Sequence, residues 1–164
     1  MAKPGYSRIA ALVALNAVVW LFVPGTWRYV CGIAALVLLL LIINFYRDPE
    51  RGVPHREGTF VVAPADGRVV LIDRAHGRLS ISIFLSAFDV HVNRAPVAGR
   101  VVELSHTPGK YLPAFLATSS SENERVRLTL EDAAGRRVSC TQVAGLLARR
   151  IENWVAEGQN LAQG

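Results

Sequence analysis

The chain has 164 residues, 51% of them hydrophobic and 19% charged, with 18 Lys and Arg against 13 Asp and Glu, a length that suits one modest domain with an anchor and excludes a multidomain machine. Residues 1–46 carry Lys3, Arg8 and Arg28 and no acid, whereas the remainder holds 15 basic and 13 acidic side chains. That mixed remainder, with no aromatics interleaved in a basic stripe, argues for no nucleic-acid partner.

Residues 9–27 and 29–46 are two runs without a charge. Eighteen residues at the helical rise span about 27 Å, close to the roughly 30 Å of bilayer hydrocarbon. Pro24-Gly25-Thr26 between them is a turn sequence, so residues 1–46 are expected to form a transmembrane helical hairpin. Lys3 and Arg8 at its start and Arg47, Arg51 and Arg56 at its end put both ends, and the soluble part, on the cytoplasmic side of the cell membrane. A cleaved signal peptide is the competing reading, but no small-residue cleavage site precedes the second, more apolar run. Asn16 and Asn44 near the span ends read as capping or snorkelling residues.

Pro49, Gly52 and Pro54 mark a linker over residues 47–58, after which the pattern turns to strands over residues 59–164. Residues 59–63, 68–72 and 79–85 are short β-branched runs bounded by Ala65-Asp66-Gly67 and Ala75-His76-Gly77. Residues 125–130 alternate polar with apolar, and Asp132-Ala133-Ala134-Gly135 turns the chain into residues 137–143, a hairpin with one wet face. Leu147, Ile151, Trp154 and Val155 fit helical spacing, yet the flanking Gly145 and Gly158 also permit a strand. The fold class is therefore mainly β.

Ala63-Pro64-Ala65-Asp66-Gly67-Arg68-Val69-Val70 returns as Ala95-Pro96-Val97-Ala98-Gly99-Arg100-Val101-Val102, six of eight positions agreeing at an offset of 32. The echo suggests two similar corners related by a local two-fold axis, in a small barrel or sandwich. The Gly-turn pattern at the end of the chain looks like lipoyl-type sandwiches, an analogy of fold alone. The copies differ where Asp66 faces Ala98, so the turn works without a carboxylate; against that, Asp before Gly is ordinary turn chemistry.

Two cysteines, Cys31 in an apolar run and Cys140 in a strand, exclude a disulfide scaffold and a Cys-based zinc site; both read as packing residues, and no metal is expected. His55 in the linker and His76 at a hairpin tip are surface residues by default, and His106 before Thr107-Pro108-Gly109 carries no argument. His91 stands in Asp89-Val90-His91-Val92-Asn93-Arg94-Ala95-Pro96, where polar groups interrupt an apolar run. With Asp89 and Asp66 at hand it suits a general acid or base, although a lone histidine is as readily structural. Arg125, after Ser119-Ser120-Ser121-Glu122-Asn123-Glu124, has the guanidinium fork that clamps a carboxylate or phosphate, or else pairs locally with glutamate in a solvated loop.

Together, Asn44-Phe45-Tyr46-Arg47-Asp48-Pro49-Glu50-Arg51 after an apolar hairpin, Ala63-Pro64-Ala65-Asp66-Gly67, the run 89–96, Pro108-Gly109-Lys110-Tyr111 and Glu122-Asn123-Glu124-Arg125 resemble the phosphatidylserine decarboxylases of the short bacterial and archaeal type. The resemblance covers nearly the whole chain in order. It implies a pyruvoyl enzyme of phospholipid biosynthesis that makes phosphatidylethanolamine, with this chain equivalent to the large chain. In that family a proenzyme cuts itself at a Gly-Ser bond, and the serine becomes a pyruvoyl group on a small chain, whose carbonyl condenses with the substrate amine and draws off the electrons left as carbon dioxide departs. By similarity Asp66 and His91 assist self-cleavage or protonation, and Asn123, Glu124 and Arg125 line the substrate site.

Two departures stand out. Long-type relatives place a second histidine where Arg94 stands, which leaves open whether His91 serves cleavage or decarboxylation. None of the 13 glycines precedes a serine, so the pyruvoyl-forming serine is expected from outside this stretch. The expected partners are the membrane, a phospholipid substrate and the small pyruvoyl-bearing chain; exposed strand edges would also suit a homo-oligomer. The alternative from another class is a noncatalytic, membrane-tethered β-sandwich that binds a partner or head group.

Overall fold

The computed structural model describes residues 2–53, 60–75, 77–116 and 118–164, so His55 and His76 lie outside the described residues, as does much of the linker. Helix α1 (Lys3–Phe22) starts with Pro4 in its first turn, where a missing N–H is harmless, and stops before Pro24; Gly25 at φ 64° then turns the chain into α2 (Thr26–Phe45). The two helices pack as a hairpin whose open ends meet, with the Ala2 N–H donating to the Tyr46 carbonyl at 2.9 Å. Pro4–Phe22 and Thr26–Phe45 are each long and apolar enough to cross a membrane, and their large side chains are mostly exposed, as on a lipid-facing surface. Trp20 and Tyr29 stack edge to face at 5.7 Å near the turn, while Phe45 and Tyr46 stand at the open end, an aromatic belt at each level. Asn16 donates across the hairpin to the Gly32 carbonyl at 3.5 Å, so its amide serves helix pairing.

The rest of the described chain is mainly strand. β1 (Arg68–Ala75) and β2 (Arg78–Phe84) form a two-stranded antiparallel sheet. β3 (Gly99–Thr107), β4 (Arg125–Glu131), β5 (Arg137–Val143) and β6 (Asn160–Leu161) form an antiparallel sheet in the order β5-β4-β3-β6. A single turn, α3 (Ser119–Glu122), interrupts the connection between β3 and β4. The hairpin expected at residues 125–143 is present, closed by Asp132, whose carboxylate accepts the Ala134 and Arg136 N–H groups at 2.9 Å. Residues 147–155, left open between helix and strand, form neither. Residues 60–63 have no strand of their own and instead run beside residues 94–96.

The sequence echo is a structural repeat. The Val62 N–H donates to the Pro96 carbonyl at 3.0 Å and the Arg94 N–H to the Pro64 carbonyl at 2.8 Å. Shifting both partners of the first bond by the offset of 32 yields the second, so the equivalent residues Ala63 and Ala95 face one another across a local two-fold. Each copy then enters a bulged hairpin. Val69 pairs with Ile83 and Leu71 with Ser82, leaving Val70 extra; Val101 pairs with Leu130 and Glu103 with Thr129, leaving the equivalent Val102 extra. Glycine is required at the matching Gly67 and Gly99, where a Cβ would lie 2.3 Å from the Phe84 carbonyl oxygen and 2.4 Å from that of Glu131.

The copies differ in what covers them. Val101 and Leu130 are buried with Val97, against Leu104, Leu128, Val138 and Leu161. The equivalent face of the first hairpin, with Val69, Ile72 and Ile81, is exposed. Val101→Ala should therefore cost about 2 kcal/mol in denaturant unfolding and Val69→Ala no more than about 0.5 kcal/mol, although the two valines are the same position of the repeat. In amide exchange, β1 and β2 should open before β3 to β5, because a two-stranded hairpin is marginal alone.

Candidate active site

The open end of the helical hairpin is fastened to residues 86–94 by five side chains between positions 44 and 51. Asn44 and Arg47 both donate to the Phe88 carbonyl, at 3.1 and 3.2 Å. Phe45 stacks on the His91 ring with centroids 3.9 Å apart and planes at 23°. Asp48 pairs with Arg94, and Arg51 donates to the Val92 carbonyl at 3.4 Å while its second terminal nitrogen lies 3.1 Å from the Asp66 carboxylate. Arg51 thus bridges the Asp66 bend and the His91 segment, which the local two-fold already holds side by side. Among the described residues, its buried Nη2 has this ionic contact and no aligned hydrogen bond.

His91 is half-buried, and its Nδ1 lies 2.9 Å from the Asp89 carbonyl oxygen. A carbonyl only accepts, so Nδ1 carries the proton and Nε2 of the neutral ring is the free base. Burial holds the His91 pKa below its usual 6.5, partly offset by the Asp89 carbonyl and carboxylate. Asp89 itself is held below the usual carboxylate range by hydrogen bonds from Ser86. Asp66 is partly exposed at the bend; the described contacts join it to Arg51 and show no direct bond to His91. A cavity of about 350 Å³ opens beside them, lined by Arg51, Val53, Phe60, Val62 and Arg94 and by Gly164. Neither Asp66 nor His91 lines it.

Asn123, Glu124 and Arg125 are neighbours in sequence with separate surroundings. Asn123 is fully buried: its amide donates to the Leu112 and Ala144 carbonyls at 2.9 and 2.8 Å, and its oxygen accepts the Leu112 N–H at 2.9 Å. Glu124 accepts the Tyr111 hydroxyl at 2.6 Å and lies 3.4 Å from His106 Nε2. That hydroxyl holds the Glu124 pKa down, and the carboxylate in turn pushes the Tyr111 pKa up. Arg125 donates to the Ser121 carbonyl at 2.6 Å and faces a polar recess of about 220 Å³ with Ser105, Thr107, Arg127 and Thr141. Burial pushes the Cys140 thiol up to about 11, an inert packing residue as expected. Among the described residues no group of His, Cys, Asp and Glu could hold a metal ion.

The family model for phosphatidylserine decarboxylase matches residues 38–164. Over 171 aligned residues the chain is 46% identical to the phosphatidylserine decarboxylase proenzyme of Symbiobacterium thermophilum, covering all of this chain and 77% of that relative. It is 48% identical over 141 residues to the like-named proenzyme of Pelobacter propionicus, covering 81% of the chain and 64% of the relative. With that of Chlorobaculum parvum it shares 44% over 161 residues, 94% of the chain and 74% of the relative. The chain belongs to the phosphatidylserine decarboxylase family. The family is one of carboxy-lyases made as proenzymes, and this membership does not favour the noncatalytic-sandwich alternative.

Sequence reasoning passed over Phe45 and Arg51 as site residues, although both stand in the motif that carried the family resemblance. Their signal was chemical: an aromatic ending an apolar span, and two arginines interleaved with acids directly after it. Phe45→Ala should admit water to His91 and raise its NMR titration midpoint toward 6.5. Since the folded pKa lies below the unfolded one, the native state binds fewer protons, and stability should fall as pH drops from 6.5 through the folded midpoint. Asn123→Ala should cost about 1–3 kcal/mol for each backbone group left unpaired in the buried loop, read in denaturant unfolding.

Proposed function

We propose that this chain is the membrane-tethered body of an enzyme that decarboxylates phosphatidylserine to phosphatidylethanolamine, with His91 as its proton carrier and Asp66 as the carboxylate of the same site. The supporting observation is the bridge built by Arg51, which ties the Asp66 bend to the His91 segment directly below the end of a membrane span. His91 is neutral at pH 7 and keeps Nε2 free, so it can accept a proton there and return it to carbon. Positioned proton transfer of this kind contributes roughly 10²–10⁴-fold.

A pyruvoyl group is the cofactor of this reading, and when bound it supplies an electrophilic carbonyl that accepts the electrons released with carbon dioxide. The residues present fit such a group. Among the described residues Arg51 Nη2 is a buried donor without an aligned partner, and Arg51 and Arg94 give the adjoining cavity two cations on otherwise apolar walls, suited to oxygen atoms of a carbonyl or carboxylate. Arg51 would hold it, with Asp66 balancing the charge. Asn123 would hold the 108–124 loop in place, while Glu124, with Tyr111, and Arg125 offer polar groups to a head group.

A small pyruvoyl-bearing chain is the partner in this reading, with the soluble part on the cytoplasmic side as a lipoyl-like sandwich arranged about the local two-fold. Residues 1–46 are then the anchor, 47–58 the linker and 59–164 the catalytic-type domain. The bilayer anchor is apt because a diacyl substrate is confined to the membrane, and a site at the interface meets it by local search.

Carbon dioxide release from phosphatidylserine in mixed micelles should be seen with the full-length protein, with chain processing followed separately on gels. Asp66→Ala and His91→Ala should each abolish release, and the gels assign each residue to cleavage or to the later proton transfer. Undiminished release in both variants removes them from the mechanism.

A further inference from the structure

Phe88 is 68% exposed, yet its main chain is closed to solvent chemistry. It occupies a tight turn in which the Asp89 N–H donates to the Ser86 carbonyl at 3.0 Å and the Ser86 N–H to the Asp89 carboxylate at 2.7 Å. The Phe88 N–H is taken by Ser86 Oγ at 3.4 Å, and its carbonyl receives both Asn44 and Arg47. A residue whose N–H and C=O are both bonded can enter a low-dielectric layer without leaving a polar group unsatisfied. Two contacts, from Asn44 in the last turn of α2 and from Arg47 two residues beyond it, fix its height, because α2 has 20 residues and rises about 30 Å, the hydrocarbon thickness.

We propose that Phe88 is a third lipid-contacting element, a fixed aromatic wedge in the interfacial layer of the bilayer beside the end of α2, which sets the depth of His91 three residues along the same segment. The proposal rests on the reading of α1 and α2 as membrane spans. A bilayer is favoured over a protein partner because Phe88 is exposed beside the end of an apolar helix whose own large side chains are mostly exposed. Its flank also carries Arg47 and, across the helix ends, Arg8 over the Tyr46 ring at 5.0 Å, cations that suit lipid phosphates.

The test places an environment-sensitive fluorophore at position 88 (Phe88→Cys) in full-length protein carrying Cys31→Ala and Cys140→Ala, reconstituted into phosphatidylcholine and phosphatidylserine vesicles. Reference labels replace Leu38, within α2, and Ala133, at the β4–β5 turn. Lipids brominated near the head-group end of the acyl chain should quench the label at 88 more than lipids brominated near the chain end, with the reverse order at 38 and no quenching at 133. An unquenched label at 88 beside a quenched label at 38 overturns the wedge and leaves the spans standing. A blue-shifted label at 88 that bromine does not reach marks a protein contact there and also overturns it. An unquenched label at 38 overturns the membrane reading itself, and the wedge with it.

Discussion

The docking of the Asn44–Arg51 stretch onto residues 86–94 is the contact on which the rest of the molecule depends. It joins the end of an apolar helical hairpin to the segment that carries His91. Individually its polar contacts are modest, since partly exposed ion pairs such as Asp48 with Arg94 contribute about 0–1 kcal/mol each. Their effect is geometric: five side chains of one short run engage one segment, and the Phe45 ring removes water from one face of His91. The depressed pKa of that histidine therefore follows in part from where α2 ends and Phe45 is placed.

Around this contact the fold is a repeat that has diverged. The main-chain bonds about Ala63 and Ala95, the glycines that admit a partner carbonyl and the bulges at Val70 and Val102 are common to both copies. The copies depart from symmetry at two places. Asp66 replaces the apolar Ala98 and recruits Arg51, and the tight β1–β2 turn becomes in the second copy the long 108–124 excursion pinned by Asn123. Covering of the faces diverged too, leaving Val69 exposed where Val101 is in the core.

Much of this could be read in the sequence, and for definite reasons. Spans, turns and hairpins are local: charge-free runs, Pro24-Gly25 and Asp132 before Gly135 act within a few residues of themselves. The echo foretold the two-fold because identical corner residues impose identical corner geometry. The surroundings of the site residues were not legible, since they depend on distant partners. Nothing near Asn123 indicates that its amide would be consumed by Leu112 and Ala144, and nothing near His91 names Phe45, 46 positions earlier, as its neighbour. The segment at 147–155 shows the opposite limit, where a helical spacing of apolar residues formed no regular element.

Arg94 shows how the two levels combine. By sequence it stands where long-type relatives carry a histidine, which invites the reading of a lost catalytic group. Its main chain, however, forms half of the two-fold bond pair through Pro64, a role any non-proline residue could fill, while its guanidinium binds Asp48 of the docking run and lines the cavity shared with Arg51. An imidazole is shorter and is neutral over much of the physiological range, so it would neither reach as far nor balance Asp48 with a permanent charge. Arg94 thus places a fixed cation where the run after α2 meets the 86–94 segment. With no second imidazole on that segment, His91 is its one side chain with an ordinary pKa near neutral pH.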